Sequence, residues 1–131
     1  MDIGGSGPGS PIHASLTGVV RFAQVADNSL IDGGCPAWGY PNGGFGNCVI
    51  VRTGRYACLY GHLSSINVTQ GQSVQQGAVL GIEGSSGNAT GTHLHFSVWD
   101  YQQGGFIDPA SVLPARADLP FGNLSLITAL P

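Results

Sequence analysis

Residues 47–62, NCVIVRTGRYACLYGH, contain two runs of apolar, aromatic and β-branched residues on either side of Thr53-Gly54. Runs of this length and composition are typical of β-strands, and a short connection with glycine is typical of a hairpin. The segment therefore predicts two strands joined by a tight turn, with His62 at the end of the second strand.

Similar patterns occur on both sides of this segment. Residues 11–25 place apolar and β-branched residues around Thr17-Gly18 and predict another hairpin, whereas residues 92–99, THLHFSVW, have a strong strand composition. The 22 glycines and 8 prolines are scattered, as in an all-β protein with many turns. We expect an all-β fold, a twisted antiparallel sheet partly closed into a half-barrel, with long loops that wall a cleft and little helix.

Length and composition limit the organisation and the partners. The 131 residues, 42% of them hydrophobic, suit one compact core: residues 1–113 would form the domain and residues 114–131 a coil tail packed on it. Only 8% of residues are charged, lysine is absent and the net charge is −3, which excludes a phosphate-binding stripe and disfavours nucleic acid. No apolar run is long enough to span a membrane, and MDIGGSGPGS lacks the features of a secretory signal.

A segment of about twenty residues, 27–46, has no periodicity, and a loop of this length in a compact domain is usually functional. Cys35 and Cys48 bracket much of it, so we predict a disulfide between them and an oxidising compartment. The alternative is that both are unpaired small hydrophobic residues. Cys58 lies in an apolar run and is predicted to be a buried thiol.

The chemistry-bearing residues are histidines. On a strand, His93 and His95 project from the same face, so their imidazoles can share one site. Imidazole suits zinc, and two histidines with a carboxylate would supply a hydrolytic ligand set. His62, at a predicted strand end, is a third candidate for the site. The alternative is that all three are ordinary histidines at strand ends.

Three motifs carry a family resemblance: YGHLS at residues 60–64, GQSVQQG at 71–77 and GSSGNATGTHLHF at 84–96. In this order they resemble the signatures of the LytM/lysostaphin-type zinc metallopeptidases, which hydrolyse peptidoglycan. Upstream, Met1-Asp2-Ile3 and residues 9–20 are similar to the metal-aspartate segment of that family and the strand after it. The resemblance covers roughly residues 2–113.

The resemblance implies a zinc cofactor with Asp2 and His95 as ligands, and His62 and His93 as catalytic histidines that do not bind the metal. It leaves open which of the two histidines handles the proton of the attacking water and which the oxyanion. The first histidine ligand of the family would fall four residues ahead of Asp2, before Met1. His13 matches no catalytic position.

The implied partner is the peptide part of peptidoglycan, in the periplasm, the cell wall or a secreted form, or in a phage virion. The candidate substrate contacts lie in the long loop at residues 27–46, in the glycine-rich loop at residues 84–91 and beside His93: Trp38, Tyr40, Phe45, Asn88 and Thr92.

Two other functions are compatible with parts of the sequence. One is a degenerate, metal-free relative that acts as an activator, wall-binding or structural module. The other is a biotinyl or lipoyl carrier domain, suggested by the glycine-punctuated segments at residues 71–81. Carrier domains need a lysine to modify, and this chain has none.

Overall fold

The structure is a computed structural model that describes residues 2–3, 9–38, 44–87, 89 and 92–112. It confirms the all-β prediction: the described residues form eleven strands and one short 3-10 helix, Pro109–Ser111. None of the helical structure in these ranges is long and apolar enough to cross a membrane. The predicted tail, residues 114–131, lies outside the described residues.

The hairpin predicted from residues 47–62 forms the centre of the sheet. Strands β6 (Asn47–Thr53) and β7 (Tyr56–Ile66) pair antiparallel around the turn. The Gly54 φ of 59° at this turn is a left-handed value that glycine adopts at little cost. On the other side of β7 lies β10 (Leu94–Asp100), paired from His95 opposite Gly61 to Asp100 opposite Tyr56.

The sheet curls because β7 is longer than its partners. Its first part pairs with β10, whereas its end, beyond an irregularity between Leu63 and Ser65, pairs with β9 (Val79–Glu83). Strand β9 also pairs with β2 (Pro11–His13). On the opposite flank, β3 (Gly18–Val25) pairs with β6 and with β8 (Ser73–Val74). The result is the partly closed antiparallel sheet expected from the sequence.

Short strands complete the edges of the sheet. Strand β1 (Asp2–Ile3) pairs with the start of β10, and β11 (Gly105–Ile107) pairs with its end. Strands β4 (Leu30–Ile31) and β5 (Cys35–Pro36) form a separate pair inside the long loop.

Two apolar layers lie on the two faces of the sheet. Burial alternates along β10, so that Leu94, Phe96 and Val98 belong to the first layer, together with Tyr60 of β7. The second layer contains side chains of the opposite face and residues of the long loop: Phe22, Ile31, Cys35, Ala37, Phe45, Cys48, Ile50, Ala57 and Leu59. The described parts of the long loop, residues 27–38 and 44–46, therefore pack across the second face and bring Phe45 to the end of the sheet where β1 pairs.

Two sequence predictions about the strands were wrong. Strands β2 and β3 exist, but they do not pair as a hairpin: β2 pairs with β9, and β3 with β6 and β8. After β2, Ala14 N donates to Ala78 O at 2.8 Å and Ala14 O accepts from Gly77 N at 2.8 Å, so the chain stays beside the segment before β9 and does not turn back on β2. His62 does not end β7, which continues to Ile66.

The predicted disulfide is also absent. Cys35, Cys48 and Cys58 are free, buried thiols, as was expected only for Cys58. The Sγ atom of Cys35 lies 3.9 Å from the Pro36 carbonyl oxygen, and that of Cys48 lies 3.8 Å from the Ala37 carbonyl oxygen. Both side chains pack in the second apolar layer, so apolar burial, not a covalent bond, attaches the loop to the sheet.

The thiols should be unreactive in the folded protein. Burial raises the pKa of Cys35, Cys48 and Cys58 to about 12, and the thiolate is the reactive form. We expect a chromogenic disulfide reagent to label the native protein very slowly and to count three thiols per chain after denaturation without reductant. A count of one would contradict the free-thiol structure.

Candidate active site

Two of the predicted residues are positioned by β10. His95 is the second residue of this strand, and its Cα lies in register with Asp2 of β1 on one side and Gly61 of β7 on the other. His93 directly precedes the strand and forms an isolated antiparallel bridge with Gly84, whose carbonyl accepts from His93 N at 3.1 Å. Asp2, His95 and the third histidine, His62, which follows Gly61, are therefore brought to the same end of the sheet.

His62 occupies an unusual backbone conformation. Its φ is 63°, in the left-handed region that non-glycine residues rarely adopt, and it lies where the pairing of β7 becomes irregular. Its amide donates to the Phe45 carbonyl at 2.6 Å, and its Nδ1 lies 2.7 Å from the Ser86 carbonyl oxygen. Such conformations are found at functional sites and persist when the surrounding structure holds them in place.

The three imidazoles form one cluster. The ring centroid of His62 lies 4.8 Å from that of His93 and 5.9 Å from that of His95. His62 is buried, with 5% of its surface exposed, whereas His93 and His95 are half-buried. The structure thus brings together all three histidines that the sequence singled out, from β7 and from the start of β10, which are distant in the chain.

Phe45 and Ser97 fix the His95 ring. The Phe45 ring stacks on it with centroids 4.9 Å apart, and the Ser97 hydroxyl lies 2.6 Å from His95 Nε2. Gly61 lies under this stack, since a Cβ at that position would come within 3.1 Å of Phe45 Cβ and 3.5 Å of His95 Cβ. The His95 imidazole is therefore held on both its face and its edge.

The sequence did not identify a buried carboxylate near His93. Glu83 ends β9, is 2% exposed, and neither carboxylate oxygen has a hydrogen-bond partner within the described ranges. Burial raises the pKa of Glu83, and the charge of His93 opposes that rise, so the two groups are within electrostatic reach. A single glutamate at the end of a strand has no spacing signature, so the sequence offered no signal for it.

Only some of the remaining predicted site residues lie in the part of the chain that the structure describes. The Trp38 carbonyl accepts from Phe45 N at 3.0 Å, and Thr92 is exposed directly before His93. Tyr40, Asn88 and the Asp2 side chain lie outside the described part of the chain. His13 is on another strand, β2, where its Nδ1 lies 2.9 Å from the Gly77 carbonyl oxygen. Among the described side chains, no three of His, Cys, Asp or Glu form a group that could hold a metal ion.

Comparison with known proteins extends this description. The model of peptidase family M23 matches residues 1–109. The peptidoglycan DD-endopeptidase ShyA of Vibrio cholerae is 43% identical over 91 residues, which cover 69% of this chain and 17% of ShyA. The chain therefore spans about a sixth of the length of this curated relative.

Two solved structures share the fold. The catalytic domain of the antimicrobial peptidase lysostaphin from Staphylococcus simulans has a TM-score of 0.62 at 27% identity, with 80% of this chain and 71% of that chain covered. A zinc containing peptidase from Vibrio cholerae also has a TM-score of 0.62 at 27% identity, with 88% and 29% covered. The half-barrel, the family match over residues 1–109 and these structural neighbours together show that the chain belongs to peptidase family M23, among its LytM/lysostaphin-like members.

Proposed function

We propose that this chain is a zinc-dependent endopeptidase that hydrolyses peptide bonds in the cross-bridges or stem peptides of peptidoglycan. The observation that supports this most directly is the meeting of His62, His93 and His95 at one end of the sheet, with ring centroids 4.8 and 5.9 Å apart. The printed name of ShyA, a peptidoglycan DD-endopeptidase, supports the substrate class.

The residues that would hold zinc are Asp2 and His95, which lie in register on neighbouring strands. Imidazole and carboxylate are both ordinary zinc ligands. The Ser97 hydroxyl beside His95 Nε2 is the kind of outer partner that orients a metal-binding imidazole, and it would leave Nδ1 as the nitrogen for the metal. The family resemblance places a further histidine ligand before Met1, which would complete the three protein ligands of a catalytic site. Bound zinc would polarise the scissile carbonyl and make the attacking water more acidic.

His62 and His93 would perform the proton transfers. Imidazole has a pKa near neutrality, so one of the two rings can accept the proton of the attacking water and return a proton to the leaving amine. The second ring would donate a hydrogen bond to the oxyanion of the tetrahedral intermediate. The two rings lie close enough to act on one scissile bond, and we assign the pair without dividing these roles between its members.

The substrate would lie between the long loop and the glycine-rich loop. Phe45 contacts His95 from the long loop, and Trp38 of the same loop is half-buried, with its carbonyl accepting from Phe45 N at 3.0 Å. Tyr40, Asn88 and Thr92 are the further contacts that we propose. With a net charge of −3 the protein offers no attraction to anionic wall polymers, so shape and hydrogen bonds would hold the peptide. This substrate requires an extracytoplasmic location or a virion.

A metal-free wall-binding or structural role is the second candidate. The retained histidine cluster favours the enzyme, because a purely structural module has no need for three imidazoles at one point.

The experiment that separates the two uses purified peptidoglycan and two proteins, this chain and a version extended upstream of Met1. We expect the zinc-loaded extended protein to release muropeptides, a chelator to stop the release, and added zinc to restore it. Binding to peptidoglycan without any release by the zinc-loaded extended protein would contradict the enzyme and support the wall-binding role.

A further inference from the structure

The two loops that wall the site touch each other beside His62. Gly46 and Gly87 have φ values of 65° and 72°, and a Cβ on Gly46 would overlap the backbone of Ser86 and Gly87. The loops approach this closely only because both positions are glycine. Ser86 is the residue at the point of contact.

Ser86 joins three segments through its side chain and its backbone. Its hydroxyl accepts from Asn47 N at 3.0 Å and donates to the Leu63 carbonyl at 2.5 Å. The Asn47 side-chain amide donates to the same Leu63 carbonyl at 3.0 Å. Because Leu63 follows His62 in the chain, these bonds hold the glycine-rich loop against the backbone on the C-terminal side of the histidine.

The Ser86 carbonyl determines the proton position on the His62 ring. It lies 2.7 Å from Nδ1, and a carbonyl oxygen can only accept, so Nδ1 carries the proton. In the neutral ring Nε2 is then the nitrogen with the lone pair. On the other side, the Phe45 carbonyl holds the His62 amide at 2.6 Å. The strained backbone and the ring are thus both fixed by loop carbonyls.

From these contacts we propose that Ser86 is a positioning residue for His62: its hydroxyl locks the glycine-rich loop to β7, and its carbonyl then fixes the orientation and tautomer of the His62 imidazole. This inference rests on the proposed function of His62. We assign Ser86 no direct contact with the metal or the substrate.

The test compares Ser86→Ala and Ser86→Thr in the zinc-loaded, upstream-extended protein. Ser86→Ala removes both hydroxyl bonds, and the displaced loop should lower kcat on the order of 10²-fold, the loss typical of an ångström-scale misplacement. KM should change by less than about 3-fold, since the groove walls remain. Ser86→Thr keeps the hydroxyl and should retain most of the activity.

The matched control is Ser111→Ala, because the Ser111 hydroxyl also donates to a backbone carbonyl, that of Asp108 at 2.7 Å, on the distant 3-10 helix. Its kcat should equal that of the wild type. A readout independent of activity is the ¹⁵N spectrum of the imidazoles. The His62 signals should show the Nδ1-protonated tautomer in the wild type and in Ser86→Thr, and a mixture of tautomers in Ser86→Ala.

Wild-type kcat in Ser86→Ala, or the same loss in Ser86→Ala and Ser86→Thr, would overturn the proposal. So would an unchanged His62 tautomer in Ser86→Ala. An inactive wild-type protein in the peptidoglycan assay would instead refute the proposed function, and the tautomer measurement would still decide whether Ser86 positions His62.

Discussion

Replacing His93 with alanine is expected to reduce peptidoglycan cleavage by about 10²- to 10⁴-fold, the contribution of a positioned general acid or base. The ring of His93 lies 4.8 Å from that of His62, so its removal takes one of two proton-transfer groups from the site. The fold should survive, because His93 is half-buried and alanine preserves the backbone bond from its amide to the Gly84 carbonyl. The measurement is kcat on purified peptidoglycan, with the melting temperature recorded in parallel.

His13→Ala is the control for this substitution. His13 is also half-buried, and its Nδ1 lies 2.9 Å from the Gly77 carbonyl oxygen, but it lies on β2 away from the cluster. Its removal should leave kcat unchanged. Full activity in His93→Ala, or an equal loss in the two variants, would contradict the catalytic role.

The second large effect is expected on metal binding. His95→Ala should abolish bound zinc and cleavage together, because the variant loses one of the two ligands that we assign within this chain. In the upstream-extended protein we expect about one zinc ion per wild-type chain by elemental analysis, and a far smaller fraction in the variant. Zinc should also stabilise the wild type by about 2.7 kcal/mol at a hundredfold excess over its Kd and should not stabilise the variant.

His93→Ala serves as the control for metal content, since it lies two residues away and is assigned no metal role. It should retain zinc while losing activity, whereas His95→Ala should lose both. Zinc bound at wild-type level in His95→Ala, or lost equally in both variants, would show that the roles of the two histidines are assigned wrongly.

The sequence predicted the part of the fold that depends on local patterns. The β6–β7 hairpin follows from two apolar runs around Thr53-Gly54, and β10 follows from the composition of residues 92–99, because each needs only its own neighbours in the chain. The pairing of β2 with β9 could not be predicted, since it depends on how β7 curls the sheet at its irregularity near Leu63. The Thr17-Gly18 pair, read as a turn in the sequence, is equally compatible with the chain entering β3 at Gly18 after leaving β2 for another edge of the sheet.

The candidate site, too, could be predicted only where it depends on local sequence patterns. The spacing of His93 and His95 predicted that both imidazoles share one site, and the resemblance implied that His62 joins them. Only His95 lies on β10, because His93 directly precedes the strand in an isolated bridge with Gly84. Neither the positive φ of His62 nor the contacts of Ser86 have a sequence signature, because they arise from two loops that meet only in the folded chain. The cysteine prediction failed for a related reason: proximity to one loop does not distinguish a disulfide from two thiols packed in an apolar layer.

One zinc ion should bind where β1 meets β10. A crystal structure of the zinc-loaded, upstream-extended protein, with anomalous data collected at the zinc edge, would locate it. We expect a single anomalous peak about 2.0–2.2 Å from a carboxylate oxygen of Asp2 and a ring nitrogen of His95, with His62 and His93 beside it but not bound to it. A peak elsewhere, or Asp2 and His95 too far apart to share one ion, would contradict it.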